Sequence, residues 1–134
     1  LLAYDFEQDR KVYSPVTAWL HRDTDSEVEF TDIKTKGSNA YRASAGHNIA
    51  YNDNGTIGFK YADELKPGDE LISVGGNFTV ESASETVFDV GLFSPMTAAS
   101  NFYIFPYQSV KANDLRNEMI LVHCLAEIDN PKKQ

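Results

Sequence analysis

Basic residues, cysteine and long apolar runs are all scarce in this chain, and each shortage closes off a class of function. Twelve Lys and Arg stand against twenty Asp and Glu, a net charge of −8. A nucleic-acid groove needs clustered basic side chains, and adsorption to anionic lipid needs them too. The acidic excess serves solubility instead. Cys124 is the single cysteine, so an internal disulfide is excluded. A lone buried cysteine ordinarily packs as a small hydrophobe. The three histidines are far apart and show no paired-ligand spacing for zinc. A phosphate-binding glycine loop and a Gly-x-Ser-x-Gly elbow are both missing, so no cofactor or metal is implied. No apolar run reaches the ~18 residues of a membrane-spanning helix. The sequence opens on Leu1-Leu2-Ala3-Tyr4, with no charged leader followed by an apolar signal core.

What is present reads as one globular β domain. The 134 residues are 42% apolar and 12% aromatic, enough to bury a core and too rich in apolar groups for disorder. Short apolar or alternating runs recur between turn signals, without a long helical period. The first strand is expected at 1–4, with a hairpin turn through 5–11. A second run covers 12–22, with Pro15 at a bend or an edge position. Residues 28–35 follow, closed by a turn at Lys36-Gly37-Ser38-Asn39, and then a short strand at 41–44. Another strand at 48–51 leads into Asn52-Asp53-Asn54-Gly55, the strongest hairpin signal in the chain, with 56–61 returning. Ala62-Asp63-Glu64-Leu65 fits a single helical turn stopped by Pro67 and Gly68. Strands at 71–74 and 78–83 flank a hairpin at Gly75-Gly76. Later strands are expected at 86–93, 102–107 and 119–128, with 111–117 as a loop or helical turn. Asn54-Gly55-Thr56 and Asn77-Phe78-Thr79 match the N-glycosylation pattern and lend slight support to a secretory route.

Four segments carry the chemistry. Arg42-Ala43-Ser44-Ala45-Gly46-His47-Asn48-Ile49 sets a hydroxyl residue three positions before a histidine, between two strands. Upstream lies Trp19-Leu20-His21-Arg22-Asp23, and downstream lies Ala62-Asp63-Glu64-Leu65-Lys66-Pro67-Gly68-Asp69-Glu70-Leu71. Gly91-Leu92-Phe93-Ser94-Pro95-Met96-Thr97 comes last. In this order the chain, from Leu1 to at least Thr97, resembles the Hint (Hog) autoprocessing domain of hedgehog proteins. Its Trp-Leu-His-Arg form is most similar to the nematode hedgehog-related proteins. The resemblance implies an all-β Hint (hedgehog/intein) fold, a pseudo-two-fold β-structure of two similar halves. Residues 59–72 have the form strand, short turn, Gly-Asp, strand, which occurs twice in that family. Leu1 to Asp5 resembles the strand that follows the first copy. Residues 1–128 are therefore expected to form a Hint-type domain lacking its first strands, and 129–134 a polar tail.

The activity implied by the resemblance is self-cleavage. The family's first residue, a cysteine, attacks the carbonyl before it, and this N-to-S acyl shift gives an internal thioester. A second nucleophile then resolves the thioester; in hedgehog it is the 3-hydroxyl of cholesterol. Amide resonance opposes the first step, and a proton donated to the departing nitrogen suits histidine. By motif match His47 takes that role. Ser44 replaces the family's threonine, keeping the hydroxyl and losing the methyl that stiffens its rotamer. His21 stands where cholesterol-using members carry an aspartate. Its imidazole, with a reference pKa of about 6.5, suits a base for an alcohol or for water. A strand-end histidine paired with Asp23 or Asp25 is the other reading. Cys124 matches a second family cysteine if 119–126 is the terminal strand; aligning 109–114 there leaves that position without one. His123 would then point to the opposite face from Cys124. Glu64, Asp69 and Glu70 are expected to be structural, with Asp69 bonding backbone amides of its turn.

The nucleophilic cysteine is expected upstream of Leu1. The substrate implied is the protein's own N-terminal signalling segment, and the acceptor a sterol, another alcohol or water, in the secretory pathway or outside the cell. An apolar N-terminal strand also wants a neighbour at its edge, from upstream residues or from a second copy. Two further readings stay open: a Hint-like extracellular binding or oligomerisation module that has lost catalysis, and an unrelated β-sandwich interaction domain.

Overall fold

A computed structural model describes residues 1–37, 39–107 and 115–124, with the side chains of 20–24, 26–28, 84–94, 115 and 116 left aside. Strand β1 (Leu2–Asp5) and β2 (Arg10–Tyr13) form a hairpin, and a bend at Ser14-Pro15 leads into β3 (Val16–Thr35). Next come β4 (Ala40–Ser44), β5 (Asn48–Asp53) and β6 (Thr56–Tyr61), then a 3-10 turn over Ala62–Glu64. Strands β7 (Glu70–Ser73), β8 (Gly76–Thr97) and β9 (Asn101–Ile104) follow. A second 3-10 turn (Leu115–Glu118) precedes β10 (Ile120–His123). The domain is all-β, as its turn-punctuated sequence implies.

Local chemistry explains the turns. Asn54 and Gly55 both take positive φ, +52° and +92°, which suits the right-handed twist of the β5–β6 hairpin and favours Asn-Gly. The Gly75-Gly76 hairpin joins β7 to β8, with Ser73 opposite Gly76. Asp69 accepts the Lys66 N–H at 2.9 Å and pairs with Lys60 at 3.1 Å, while Glu64 accepts the Tyr61 N–H at 3.1 Å. Both carboxylates hold turns in shape, and Glu70 bonds the Asn52 amide.

Two strands are far longer than the sequence pattern suggests. The expected breaks at 23–27 and 84–85 are register shifts within the ladder, not strand ends: β3 runs 20 residues and β8 runs 22, and they pair antiparallel from Val16 opposite Thr97 to Thr35 opposite Val80. Register shifts interrupt the ladder, one of them between Asp23 and Glu27. Apolar alternation is a signal of burial on one face. The charged stretch Arg22 to Glu27 lacks that signal, and the ladder is irregular there, but pairing resumes at Glu27 opposite Val90 within the same strand. Pro95 sits opposite Trp19 within β8, beside the register shift between Trp19 and His21, an irregularity that accommodates a residue without an N–H.

Two similar halves are visible in the connectivity. Hairpin β1–β2 leads into β3, hairpin β7–β8 leads on within β8, and the two long strands pair with each other. The larger sheet has the order β4-β3-β8-β7-β10-β5-β6, with β9 on β10. One core cluster contains Ile33, Tyr41, Ala43, Ile49, Ala62, Leu71, Ile120, Val122 and Cys124. A second contains Ala50, Tyr103, Met119 and Leu121, with Leu2, Tyr4 and Phe59 packed on it.

Strand β4, which ends at Ser44, is pinned to β3 by a cross-strand ion pair. Asp32 faces Arg42 in the ladder, and Arg42 Nε lies 2.8 Å from Asp32 Oδ1. The hydrogen bond from Arg42 holds the Asp32 carboxyl below the usual carboxylate range, against the opposing effect of burial. Such a group stabilises the fold above about pH 4, and that stability is lost as pH falls through its depressed folded value. Asp32→Asn is therefore expected to lower the urea midpoint near neutrality and to flatten its decline on acidification; parallel pH profiles for the two proteins would contradict this.

Candidate active site

The Ser44-Ala45-Gly46-His47 stretch is a tight turn between β4 and β5. His47 N–H donates to the Ser44 carbonyl at 3.0 Å, closing it. Two further bonds strap the turn to the 3-10 turn at 62–64: Ala62 N–H to the His47 carbonyl at 2.9 Å, and Asp63 N–H to the Ala45 carbonyl at 3.1 Å. These explain why the Ala62-Asp63-Glu64-Leu65 segment and the His47 segment occur together in the sequence. Each satisfies backbone groups of the other that burial would leave orphaned. His47 is buried, at 9% exposure, and Ser44 is half-buried.

Cys124 reaches the same region from the other end of the chain. Val122 faces Ile49 across the antiparallel β10–β5 pair. Cys124 lies two residues after Val122, just past the end of β10, and His47 two residues before Ile49, just ahead of β5. Ala43, Ile49 and Ala62, which bracket the Ser44–His47 turn, share one core cluster with Cys124. The thiol is fully buried, its Sγ accepts the Thr97 N–H at 3.4 Å, and the Thr97 hydroxyl lies 3.6 Å away. Cys124 N–H donates to the Ser100 carbonyl at 2.9 Å. Of the two alignments open from sequence, residues 109–114 lie outside the described residues.

The turn from Thr97 to Asn101 holds this thiol. Ser100 N–H donates to the Thr97 carbonyl at 3.0 Å, and the Thr97 hydroxyl donates to the Asn101 carbonyl at 2.7 Å. Thr97 is legible in sequence only as the end of the Ser94-Pro95-Met96-Thr97 segment, with no role attached. Asn101 gives no sequence signal, because a buried amide in an apolar run looks like any polar interruption.

His21 lies on β3 opposite Ser94, three residues before Thr97 on the partner strand. Its side chain, on which both the base and the ion-pair expectations fall, lies outside the described residues. His123 turns away from Cys124. It packs edge-on against Phe59 with centroids 5.2 Å apart, on the second core cluster, and burial lowers its pKa. That is the outcome strand alternation implies for adjacent residues.

No family model matches this chain, and no curated protein matches it. Solved structures do. An intein from a hyperthermophile matches with TM-score 0.66 and 13% identity over 92% of this chain and 70% of the intein. The solution structure of the Pab PolII intein matches with TM-score 0.64 and 15% identity over 92% and 74%. The VidaL intein matches with TM-score 0.57 and 17% identity over 83% and 63%. At these identities the likeness shows the fold: the chain has the Hint architecture of the inteins.

Ser100 is a non-glycine residue at φ +66°, a left-handed conformation that costs L-residues about 1–2 kcal/mol, against the larger entropy glycine loses on folding. Ser100→Gly is expected to stabilise the protein by about 0.5–1 kcal/mol in urea denaturation. A destabilised variant would show that the serine side chain holds the turn beneath Cys124.

Proposed function

We propose that this chain is the autoprocessing domain of a hedgehog-related precursor, cleaving itself from an N-terminal signalling segment. The reading is supported by the strapped Ser44–His47 turn, whose neighbours Ala43, Ile49 and Ala62 share a core cluster with buried Cys124, within an intein-type fold. The nucleophile is a cysteine upstream of Leu1. Its sulfur adds to the carbonyl carbon of the residue before it. The C–N bond breaks as His47 gives its proton to the departing amide nitrogen, and a thioester with a free amine results. Ser44 holds the scissile peptide or the imidazole. An acceptor O–H then adds to the thioester carbonyl, His21 takes the proton, and the cysteine sulfur leaves as thiolate. The acceptor is a sterol, another alcohol or water, met in the secretory pathway.

Low exposure around His47 and Cys124 favours this chemistry, because excluded water strengthens directed hydrogen bonds. One observation favours a second reading, a Hint-like binding module without catalysis. The Cys124 thiol is fully buried and occupied by Thr97, as in a purely structural packing role.

The test is the full precursor carrying a reporter ahead of the signalling segment. Dithiothreitol is expected to release the reporter. His47→Ala is expected to slow release by about 10²–10⁴-fold, the usual scale for loss of a general acid, while Ser44→Thr stays active and Ser44→Ala slows. His21→Ala is expected to leave dithiothreitol cleavage intact and to slow only transfer to an alcohol or water. A parent precursor that stays whole under dithiothreitol would sink the autoprocessing reading in favour of the binding module.

A further inference from the structure

Asn101 is a buried polar side chain, 1% exposed, that the chemistry above does not use. Its carboxamide faces strand β1 and takes both backbone polar groups of one residue. Oδ1 accepts the Tyr4 N–H at 2.7 Å, and Nδ2 donates to the Tyr4 carbonyl at 2.9 Å. Nδ2 also donates to the Ala99 carbonyl at 3.2 Å. The amide thus pairs with β1 as a neighbouring strand would, on the edge that β2 leaves open. A carboxamide is the side chain that offers a donor and an acceptor side by side. Aspartate has the shape without the donors, and glutamine has the donors on a longer stem.

The backbone of the same residue belongs to the turn that holds Cys124. The Asn101 carbonyl accepts the Thr97 hydroxyl at 2.7 Å, and Thr97 donates its N–H to the Cys124 sulfur. With its hydrogen committed to Asn101, the Thr97 hydroxyl can meet the thiol only as an acceptor for S–H. Ser14 closes the circle: its hydroxyl accepts the Ala99 N–H at 3.0 Å, and its backbone pairs with Leu1 in both directions, at 2.7 and 2.8 Å. One buried amide therefore fixes the N-terminal hairpin to the turn beneath the thiol, across 97 residues of sequence.

The geometry points to Asn101 as a positioning residue: it registers the N-terminal strand, and the chain leading into it, against the Thr97–Cys124 side of the site. This rests on the autoprocessing reading, in which the reacting bond lies upstream of β1. Asn101 touches no reacting atom and acts through Tyr4 and Thr97. A bond held under an ångström out of line loses rate steeply, by about a hundredfold for a full ångström.

The test compares Asn101→Asp with the parent in the full precursor, following the time course of dithiothreitol cleavage at saturating reagent. Positioning predicts nearly full cleavage amplitude with a rate constant lowered at least about tenfold, and partial recovery in Asn101→Gln, which restores donor and acceptor. A reduced amplitude with the parent's rate constant means that only the folded fraction has changed, and overturns the inference; so does an unchanged time course. If the parent itself does not cleave, the autoprocessing reading fails, and hydrogen exchange decides the structural link separately. Asn101→Asp is then expected to speed amide exchange at both Tyr4 and Cys124; faster exchange at Tyr4 alone would refute the link.

Discussion

The closing strand is the constraint on which the rest depends. Strand β10 has four residues, and it pairs with β9 along its length, with β7 at Ile120 and with β5 at Val122. Ile120, Leu121 and Val122 are each essentially fully buried, and side chains of this kind stabilise by about 1.5–3 kcal/mol apiece. Ile120 and Val122 enter the first core cluster and Leu121 the second, so one strand joins both. The register that inserts it also fixes the thiol that follows. Were β10 displaced by one residue, Leu121 and Cys124 would exchange faces with their neighbours. The placement of Cys124 and the integrity of the core are thus a single requirement.

The site is assembled from distant pieces that each solve a local problem first. The Ser44–His47 turn needs partners for its backbone, and the 3-10 turn at 62–64 supplies them. The Thr97–Ser100 turn needs a left-handed residue, and Ser100 adopts that conformation. Cys124 fills a core position, and its sulfur occupies a backbone N–H that would otherwise be buried without a partner. Such rigid, overlapping requirements are what preorganised chemistry uses, since groups held in advance need little reorganisation when a bond reacts.

Much of the fold was legible because the turns are punctuated by residues with strong conformational preferences. Asn54-Gly55, Gly75-Gly76, Pro15 and the Pro67-Gly68-Asp69 turn all lie where their chemistry places them. The continuous β3 and β8 were not legible, because pattern reading detects burial, and the strand passes the ladder irregularity between Asp23 and Glu27 without an apolar alternation to mark it. Of the site, the Ser44–His47 spacing and Cys124 stood out as residue types, while Thr97 and Asn101 did not. Their roles are set by hydrogen bonds between positions far apart in sequence, such as Asn101 with Tyr4, and no local pattern encodes those.

Intact mass spectrometry of the full precursor after brief treatment with hydroxylamine tests the central claim most directly. A thioester at one peptide junction predicts two fragments: an upstream piece ending in a hydroxamic acid, and a downstream piece beginning with cysteine and continuing into this chain. A precursor that keeps its full mass, or fragments with ordinary carboxylate ends at scattered positions, would contradict it.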